Sequence, residues 1–251
     1  MFDFLKYDFG YTWYIGYGLA IPLAVAAAVA GLALWRGWPQ WVIVLAGFVS
    51  SWALAGLFLI NIAWGINTPM ELPVPRFLAS GAGRVLDAGA GSGRAAVGVL
   101  LARPRATVTG LDIYSGYWGI DDNTPERFMT NTRIAGVADR ADTRTGDMRD
   151  MPFKDGEFDA VVSAYALDHL RRDDLVKGLS EVARVLKPRG EVLVMIVNPD
   201  WLTWVFAPPI AHHSRPDRAR WRSLLEKAGL AVVDEGVKPA TLYFLAQKRA
   251  G

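Results

Sequence analysis

Two long stretches without a charged side chain occupy the first quarter of the chain. Residues 9–35 and 37–70 contain no Asp, Glu, Lys or Arg, and only Arg36 separates them. Apolar helices over residues 13–35 and 41–62 would each be long enough, at about 1.5 Å per residue, to cross a hydrocarbon core of about 30 Å. The pattern predicts a transmembrane helical hairpin over residues 1–66.

Aromatic and small residues agree with a hairpin in a bilayer. Tyr and Trp cluster where the helices would meet the membrane surface, at Tyr11, Trp13, Tyr14, Tyr17, Trp35, Trp38, Trp41 and Trp64. Small residues recur at every fourth position, at Gly16, Ala20, Ala24 and Ala28 and again at Gly47, Ser51 and Ala55. Such rows let helices approach closely, so the hairpin can also serve contacts between copies of the chain. A signal peptide, a buried hairpin of a soluble protein and an interface in a larger assembly are the alternatives.

Beyond a proline-rich linker at residues 67–75, apolar strands alternate with amphipathic helices. Strands are predicted at 84–87, 106–112, 142–147, 158–165, 191–197, 231–237 and 240–247, and helices at 92–101, 125–135, 173–186 and 216–228. This alternation predicts an α/β domain over residues 76–251, with a seven-stranded, mainly parallel sheet and helices on both faces.

Composition narrows the functions of this domain. The chain has no cysteine, which excludes disulfide scaffolds, cysteine-ligated zinc or iron–sulfur sites and a cysteine nucleophile. The formal net charge is +2, so no nucleic-acid partner is expected. No metal site is predicted, because the adjacent His212 and His213 point in different directions on most backbones and have no third ligand nearby.

A glycine-rich turn follows the first predicted strand. Gly89, Gly91 and Gly93 permit a tight bend and a close approach of a ligand, and Asp87 precedes them. A carboxylate suits a cationic group better than a phosphate. Asp112 ends the second strand, at a spacing typical of an acid that binds ribose hydroxyls. These residues predict a nucleoside ligand that carries positive charge.

With these motifs the chain from about residue 74 onward resembles the class I S-adenosylmethionine-dependent methyltransferases, near the ubiquinone/menaquinone C-methyltransferases. The resemblance covers roughly 70% of the chain. It rests on VLDAGAGSG at 85–93, GLD at 110–112, GDM at 146–148, FDAVVSAY at 158–165 and EVARVLKPRG at 181–190. It implies a Rossmann-like sheet and S-adenosylmethionine as the cofactor, with S-adenosylhomocysteine as its product. The hairpin lies outside the resemblance.

The resemblance also implies roles for individual residues. Asp87 and the backbone near Gly89, within the loop that includes Gly91 and Gly93, would hold the methionine end of the cofactor, helped by the backbone near Ser163. Asp112 would bind the ribose. The adenine would lie against Ile113 and Met148, and Asp147 would accept a hydrogen bond from its amino group.

A proton acceptor and an acceptor pocket complete the predicted site. His169, oriented by Asp168 or another acid, is the candidate base for a hydroxyl or acidic carbon, although a structural histidine is an equal alternative. Tyr114, Tyr165, Trp201, Trp204, His212 and His213 are candidates to line the acceptor pocket. Residues 201–210, with Trp201 and Trp204, form an apolar loop followed by a basic helix, a composition typical of a segment at a membrane surface.

Together these patterns predict an integral membrane protein with two spans and a cytoplasmic catalytic domain. Its expected function is methyl transfer to a lipophilic, membrane-embedded acceptor, with the bilayer as partner. Two alternatives remain: a methyltransferase for a small soluble or volatile acceptor, and a non-catalytic membrane scaffold that binds the cofactor.

Overall fold

The computed structural model describes residues 6–115, 119–171, 173–213 and 217–249, with only the backbone of Pro209, His212 and His213. Its centre is a seven-stranded sheet in the order β3-β2-β1-β4-β5-β7-β6, in which only β7 runs antiparallel to its neighbours. The strands are β1 (Ala82–Ala88), β2 (Arg105–Asp112), β3 (Ala141–Thr145), β4 (Phe158–Ala164), β5 (Leu186–Val197), β6 (Leu230–Lys238) and β7 (Thr241–Lys248). This is the predicted Rossmann-like, mainly parallel architecture.

Helices cover both faces of this sheet, as predicted. Helices α4 (Arg94–Ala102) and α5 (Pro125–Ile134) pack on one face, and α6 (Asp173–Val185) and α9 (Arg218–Lys227) pack on the other. Neighbouring strand residues alternate between the two cores, since Val85 belongs to one and Leu86 to the other. The carboxyl ends of the parallel strands therefore form an open edge between two covered faces.

The front of the chain folds into helices α1 (Trp13–Tyr17), α2 (Ala20–Arg36) and α3 (Gln40–Phe58), and α3 continues as a π-helical turn, Leu59–Ala63. The predicted continuous helix over 13–35 is wrong, because a turn at residues 18–19 interrupts the helix. Pro22 has no N–H to donate to the carbonyl of Gly18, which instead accepts from Ile21 at 3.2 Å. The first helix is thereby split into two shorter ones.

Within the described residues one helix, Gln40–Ala63, is long and apolar enough to cross a membrane, whereas Ala20–Arg36 is too short. The predicted pair of spans at 13–35 and 41–62 is therefore not supported. A core helix of a soluble protein can meet the same length and composition criteria. Only 22% of the apolar window in Gln40–Ala63 is buried by the described residues, however, so most of its residues remain partly or fully exposed.

Small residues join α2 to α3, but not the predicted ones. Ala26 and Ala33 on α2 and Ala46 and Ala53 on α3 are buried, at a spacing of seven residues on each helix. The predicted rows at Ala20, Ala24 and Ala28 and at Gly47, Ser51 and Ala55 are exposed instead. A repeat of four residues drifts around an α-helix, whereas a repeat of seven stays on one side of it, so the latter forms the seam.

Both ends of this helical hairpin are attached to the region around the glycine turn. Before the hairpin, Phe9 is fully buried and its carbonyl accepts a hydrogen bond of 2.7 Å from the Ser92 hydroxyl. After the hairpin, the Arg94 guanidinium donates to the carbonyls of Thr68 at 2.9 Å and Gly65 at 3.0 Å. Ser92 and Arg94 flank Gly93, so the two attachments lie next to each other.

A glycine of α4 tests the second attachment. A Cβ on Gly98 would lie 2.1 Å from the carbonyl oxygen of Met70, in the segment that leaves the hairpin. Because backbone must move to admit it, Gly98→Ala should lower the free energy of unfolding by about 1–3 kcal/mol, measured by thermal unfolding in detergent. Gly31→Ala on α2 is the control, since a Cβ there meets nothing within 4 Å; it should be neutral or stabilising. Equal melting temperatures for the two variants would contradict the tight packing.

Candidate functional site

The glycine turn lies at the carboxyl edge of the sheet and is held against β2. The backbone N–H groups of Gly89 and Ala90 donate to the carbonyl of Leu111 at 2.8 and 3.0 Å. Gly89 has φ +80, and a Cβ there would lie 2.2 Å from the Cβ of Ala166, in the segment after β4. Only glycine fits this position, so the turn brings the ends of β1, β2 and β4 together.

Asp87 is the most unusual group of this edge. Its side chain is fully buried at the end of β1, and neither carboxylate oxygen has a hydrogen-bond partner among the described residues. Burial raises the pKa of Asp87 from 3.8 to about 7; the backbone N–H of Ala96 nearby opposes this rise, and the negative charge of Asp112 adds to it. A buried carboxyl group without partners fits a cationic ligand, because the ligand would supply the charge and the hydrogen bonds that the protein does not.

Asp112 ties the second strand to the turn. Its carboxylate accepts hydrogen bonds from the backbone N–H groups of Gly91 at 2.8 Å and Tyr114 at 2.7 Å, and from the side-chain amide of Asn123 at 3.2 Å. Each carboxylate oxygen can accept more than one hydrogen bond. Asp112 can therefore hold the turn and still accept from ribose hydroxyls, while Ile113 beside it is half exposed.

Two tyrosines leave the sheet edge in a strained conformation. Tyr114 follows β2 with φ 51, and Tyr165 follows β4 with φ 53, a region that bulky residues rarely adopt. Both hydroxyls are engaged, that of Tyr114 with Thr143 and that of Tyr165 with Thr241 at 2.6 Å. Burial raises the pKa of each phenol. Strain of this kind concentrates at functional sites, which agrees with the predicted pocket positions.

Asp147 and Met148 follow β3. The Asp147 carboxylate is held by Arg149, whose guanidinium donates to it at 2.6 to 3.0 Å and whose backbone N–H donates at 2.8 Å. This ion pair lowers the pKa of Asp147. A bond to an adenine amino group would share the carboxylate with Arg149. Met148 lies next to the turn, because its Cε would be 2.8 Å from a Cβ on Gly89.

Ser163 and the pair Asp168–His169 lie on β4 and the segment after it. The buried Ser163 hydroxyl donates to the carbonyl of Ala88 at 2.8 Å and so links β4 to β1. His169 ends a short 3-10 helix, Leu167–His169, which directly follows Ala166, the residue packed against Gly89. Asp168 accepts from the backbone N–H of Val197 on β5 at 3.2 Å, so its carboxylate anchors this segment to the sheet.

The segment after β5 is helical, which corrects the predicted loop over 201–210. It forms α7 (Trp201–Phe206) and α8 (Pro208–His213), and Asp200 caps α7 by accepting from the N–H of Thr203 at 2.8 Å. Trp201 and Trp204 are exposed on α7. The side chains of His212 and His213 lie outside the described residues, so their predicted place in the pocket stays a prediction.

Sequence reasoning missed two residues of this edge. Tyr11, before the hairpin, and Arg94, at the start of α4, both lie close enough to Tyr165 to influence its pKa, although burial dominates. Arg94 follows the glycine turn directly and could have been singled out there. Tyr11 carries no local signal, because it reaches the site through tertiary contacts: it pairs with Ile120 in an isolated β-bridge.

Comparisons with known proteins agree with the fold and the glycine turn. A sequence profile of the family described as Methyltransferase domain matches residues 85–190. An uncharacterised methyltransferase of Synechocystis sp. is 34% identical over 174 residues, which cover 65% of this chain and 74% of that protein. The chain therefore belongs to the S-adenosylmethionine-dependent methyltransferases, and S-adenosylmethionine is its cofactor.

One further relative matches a shorter part of the chain, and solved structures match its fold. A ubiquinone/menaquinone biosynthesis C-methyltransferase of Desulfotalea psychrophila is 36% identical over 119 residues, and the chain covers 43% of that protein. Among solved structures, an S-adenosylmethionine-dependent methyltransferase of Methanosarcina mazei superposes with a TM-score of 0.57 at 19% identity, over 72% of this chain and all of that one. An O-methyltransferase family protein of Burkholderia thailandensis gives 0.58 at 17% identity, over 81% of this chain and 61% of that one. These structures support the fold alone.

The buried Asp87 gives a prediction in which stability and binding change in opposite directions. Its folded pKa of about 7 lies above the unfolded value of 3.8, so ionisation destabilises the cofactor-free protein as pH rises from about 4 to 7. Asp87→Asn should therefore raise the melting temperature at pH 8. It should also weaken S-adenosylmethionine binding by about 10- to 100-fold in calorimetry, because a charge-assisted hydrogen bond is lost.

The exposed Asp142 on β3 supplies the matched control. Asp142→Asn should change neither the melting temperature nor the affinity. If Asp87→Asn bound the cofactor as tightly as the wild type, Asp87 would have no part in binding.

Proposed function

We propose that this protein is a membrane-anchored methyltransferase whose acceptor is a lipophilic molecule that enters from the bilayer. The observation that carries the proposal is the contact between the hairpin and the segment after β5. Phe206 on α7 stacks on Trp52 of α3, with ring centroids 6.2 Å apart. A Cβ on Gly56 of α3 would lie 2.7 Å from Phe206. A wall of the candidate acceptor pocket is thus packed on the apolar hairpin.

The apolar surface around this contact supports insertion into lipid. Val44 and Phe48, one turn apart on α3, are 71% and 72% exposed, and Trp201 on α7 is 71% exposed. Large apolar side chains that are this exposed and stand one turn apart on one helix are typical of membrane contact. Insertion of the whole hairpin would bury the exposed side chains of α3, with the start of α2, the end of α3 and the sheet domain at the same membrane surface.

Two features define this orientation. The chain enters and leaves the hairpin beside α4, so residues 6–12 and the domain share one side. S-adenosylmethionine is made in the cytosol, and we therefore assign both to the cytoplasm. The basic helix α9 adds little, because Arg218 and Arg222 pair with Glu235 at 2.7 and 2.9 Å and are not free to bind anionic lipid.

The chemistry requires alignment and, for some acceptors, a base. S-adenosylmethionine supplies an activated methyl group on a sulfonium, whose leaving group is neutral. Asp87 would hold the cationic end of the cofactor, Asp112 the ribose, and the tyrosines Tyr114 and Tyr165 would shape the site and exclude water. His169 would remove the proton of an acceptor hydroxyl or acidic carbon.

The relatives suggest the acceptor class. The name of the matched Desulfotalea psychrophila protein assigns it to C-methylation in ubiquinone and menaquinone biosynthesis. A prenylated hydroquinone combines an apolar chain with a ring that bears hydroxyl groups and carbons that become nucleophilic when a hydroxyl loses its proton. We take this class as the first acceptor to test.

His169 gives a kinetic prediction. His169→Gln should lower kcat by about 10²- to 10⁴-fold if the imidazole accepts a proton, with S-adenosylmethionine affinity unchanged. Ser180→Ala on the outer face of α6 is the control, because its hydroxyl only bonds the carbonyl of Val176 within its own helix. An unchanged rate in His169→Gln would remove this histidine as the base.

The acceptor class is tested by tracing the methyl group. Protein in lipid vesicles, supplied with methyl-labelled S-adenosylmethionine and a total lipid extract, should transfer the label to the organic phase. Val44→Glu with Phe48→Glu should reduce both vesicle association and this transfer, because a charge in the bilayer centre is unfavourable by about 2–3 kcal/mol. Val44→Leu with Phe48→Leu should preserve them. Label in the aqueous phase alone would indicate a soluble acceptor, and cofactor binding without transfer would indicate a scaffold.

A further inference from the structure

An amide side chain lies buried at the base of the apolar hairpin. Asn61, in the π-helical turn that ends α3, is 8% exposed. Its side-chain nitrogen donates to the carbonyls of Gly16 at 2.8 Å and Leu57 at 3.0 Å. Both partners are acceptors, so the nitrogen must face them, and the side-chain oxygen, Oδ1, lies beside Gly16, 3.5 Å from the position of a Cβ there.

This oxygen has no hydrogen-bond partner among the described residues. The buried hydroxyl oxygen of Thr12, one helical turn before Gly16, has none either. The surroundings are apolar, formed by Ile60, Ile66 and Ala207 with Ile15 and Leu19 packed against them. Leaving such groups unpaired in an apolar environment is unfavourable, and π-helical turns frequently mark functional sites.

The hairpin base is connected to the reaction centre through Tyr11. Tyr11 packs against the apolar cluster of Ile60 and also lies near Tyr165. Tyr165 precedes Ala166, which packs directly on the glycine turn: a Cβ on Gly89 would lie 2.2 Å from the Cβ of Ala166. Thr12 follows Tyr11 and Asn61 follows Ile60 in the chain, so the two polar groups lie beside this packed connection to the glycine turn.

We infer that Asn61 and Thr12 form a recognition site for a hydroxyl group of the lipophilic acceptor. An amide oxygen accepts a hydrogen bond, and a threonine hydroxyl can accept or donate one, so a ligand hydroxyl can satisfy both. The residues are specificity-determining: they select acceptors with a free hydroxyl group and reject those in which it is alkylated. This inference rests on the proposed function.

Binding of two matched probes tests the inference without turnover. The protein, saturated with S-adenosylhomocysteine in detergent, is titrated with farnesyl hydroquinone and with its dimethyl ether, and the dissociation constants are measured by calorimetry. The wild type should bind the hydroquinone at least about fivefold more tightly, because only it offers hydrogen-bond donors. Ser51→Ala, which removes an exposed hydroxyl bonded to the carbonyl of Gly47, should keep this preference.

Thr12→Val is the decisive variant, because it removes the hydroxyl without breaking a described side-chain hydrogen bond and so should not harm folding. It should lower the preference about threefold or more and leave the affinity for the dimethyl ether unchanged. Asn61→Leu should do the same, with some loss of stability because the bonds to Gly16 and Leu57 are also lost.

The outcomes separate the two proposals. The recognition site would be overturned if the wild type bound both probes equally. It would also be overturned if both variants kept the full preference for the hydroquinone; a resident water or a structural role would then explain the two polar groups. Label found in the lipid phase would then still support the proposed function. If neither probe binds and no lipid is labelled, both the recognition site and the lipophilic acceptor are wrong.

Discussion

The site depends on one unfavourable arrangement, a carboxyl group buried at the end of β1 without a partner. Neither carboxylate oxygen of Asp87 has a hydrogen-bond partner among the described residues, and burial is the main cause of its raised pKa of about 7. The glycine turn beside it admits a ligand closely, because Gly89 adopts φ +80 where a side chain would clash. A cationic cofactor resolves this arrangement, since it supplies the missing charge and allows Asp87 to ionise.

The hairpin is built into the same region. Phe9 is bonded to Ser92, and Thr68 to Arg94, so the chain is fixed on both sides of Gly93 before and after the apolar helices. Phe206 on α7 packs against α3 as well. Movement of the hairpin relative to the sheet domain would therefore disturb both the glycine turn and the segment after β5. This coupling gives the proposed membrane contact a direct physical connection to the site.

The sheet could be predicted from the sequence because its signals are local. Apolar runs such as 158–165, and stops such as Gly136 and Gly229, define strands and helices without tertiary information. Asp87, Asp112 and the glycines were placed correctly at one edge because the carboxyl ends of parallel strands meet there. Three local signals encode features that the predicted elements lack: Pro22 breaks the first helix, Asp200 caps α7, and the spacing of seven residues between Ala26 and Ala33 places them on one side of α2. The attachment of Phe9 to Ser92 depends on tertiary packing that no local pattern encodes.

The proton balance of cofactor binding tests the central claim most directly. Calorimetry at pH 6 in buffers of different ionisation enthalpy gives the number of protons released when S-adenosylmethionine binds. If Asp87 is neutral in the free protein and ionised in the complex, binding should release close to one proton at pH 6, fewer at pH 8 and none in Asp87→Asn. Proton release that is absent in the wild type, or that persists unchanged in the variant, would contradict the account.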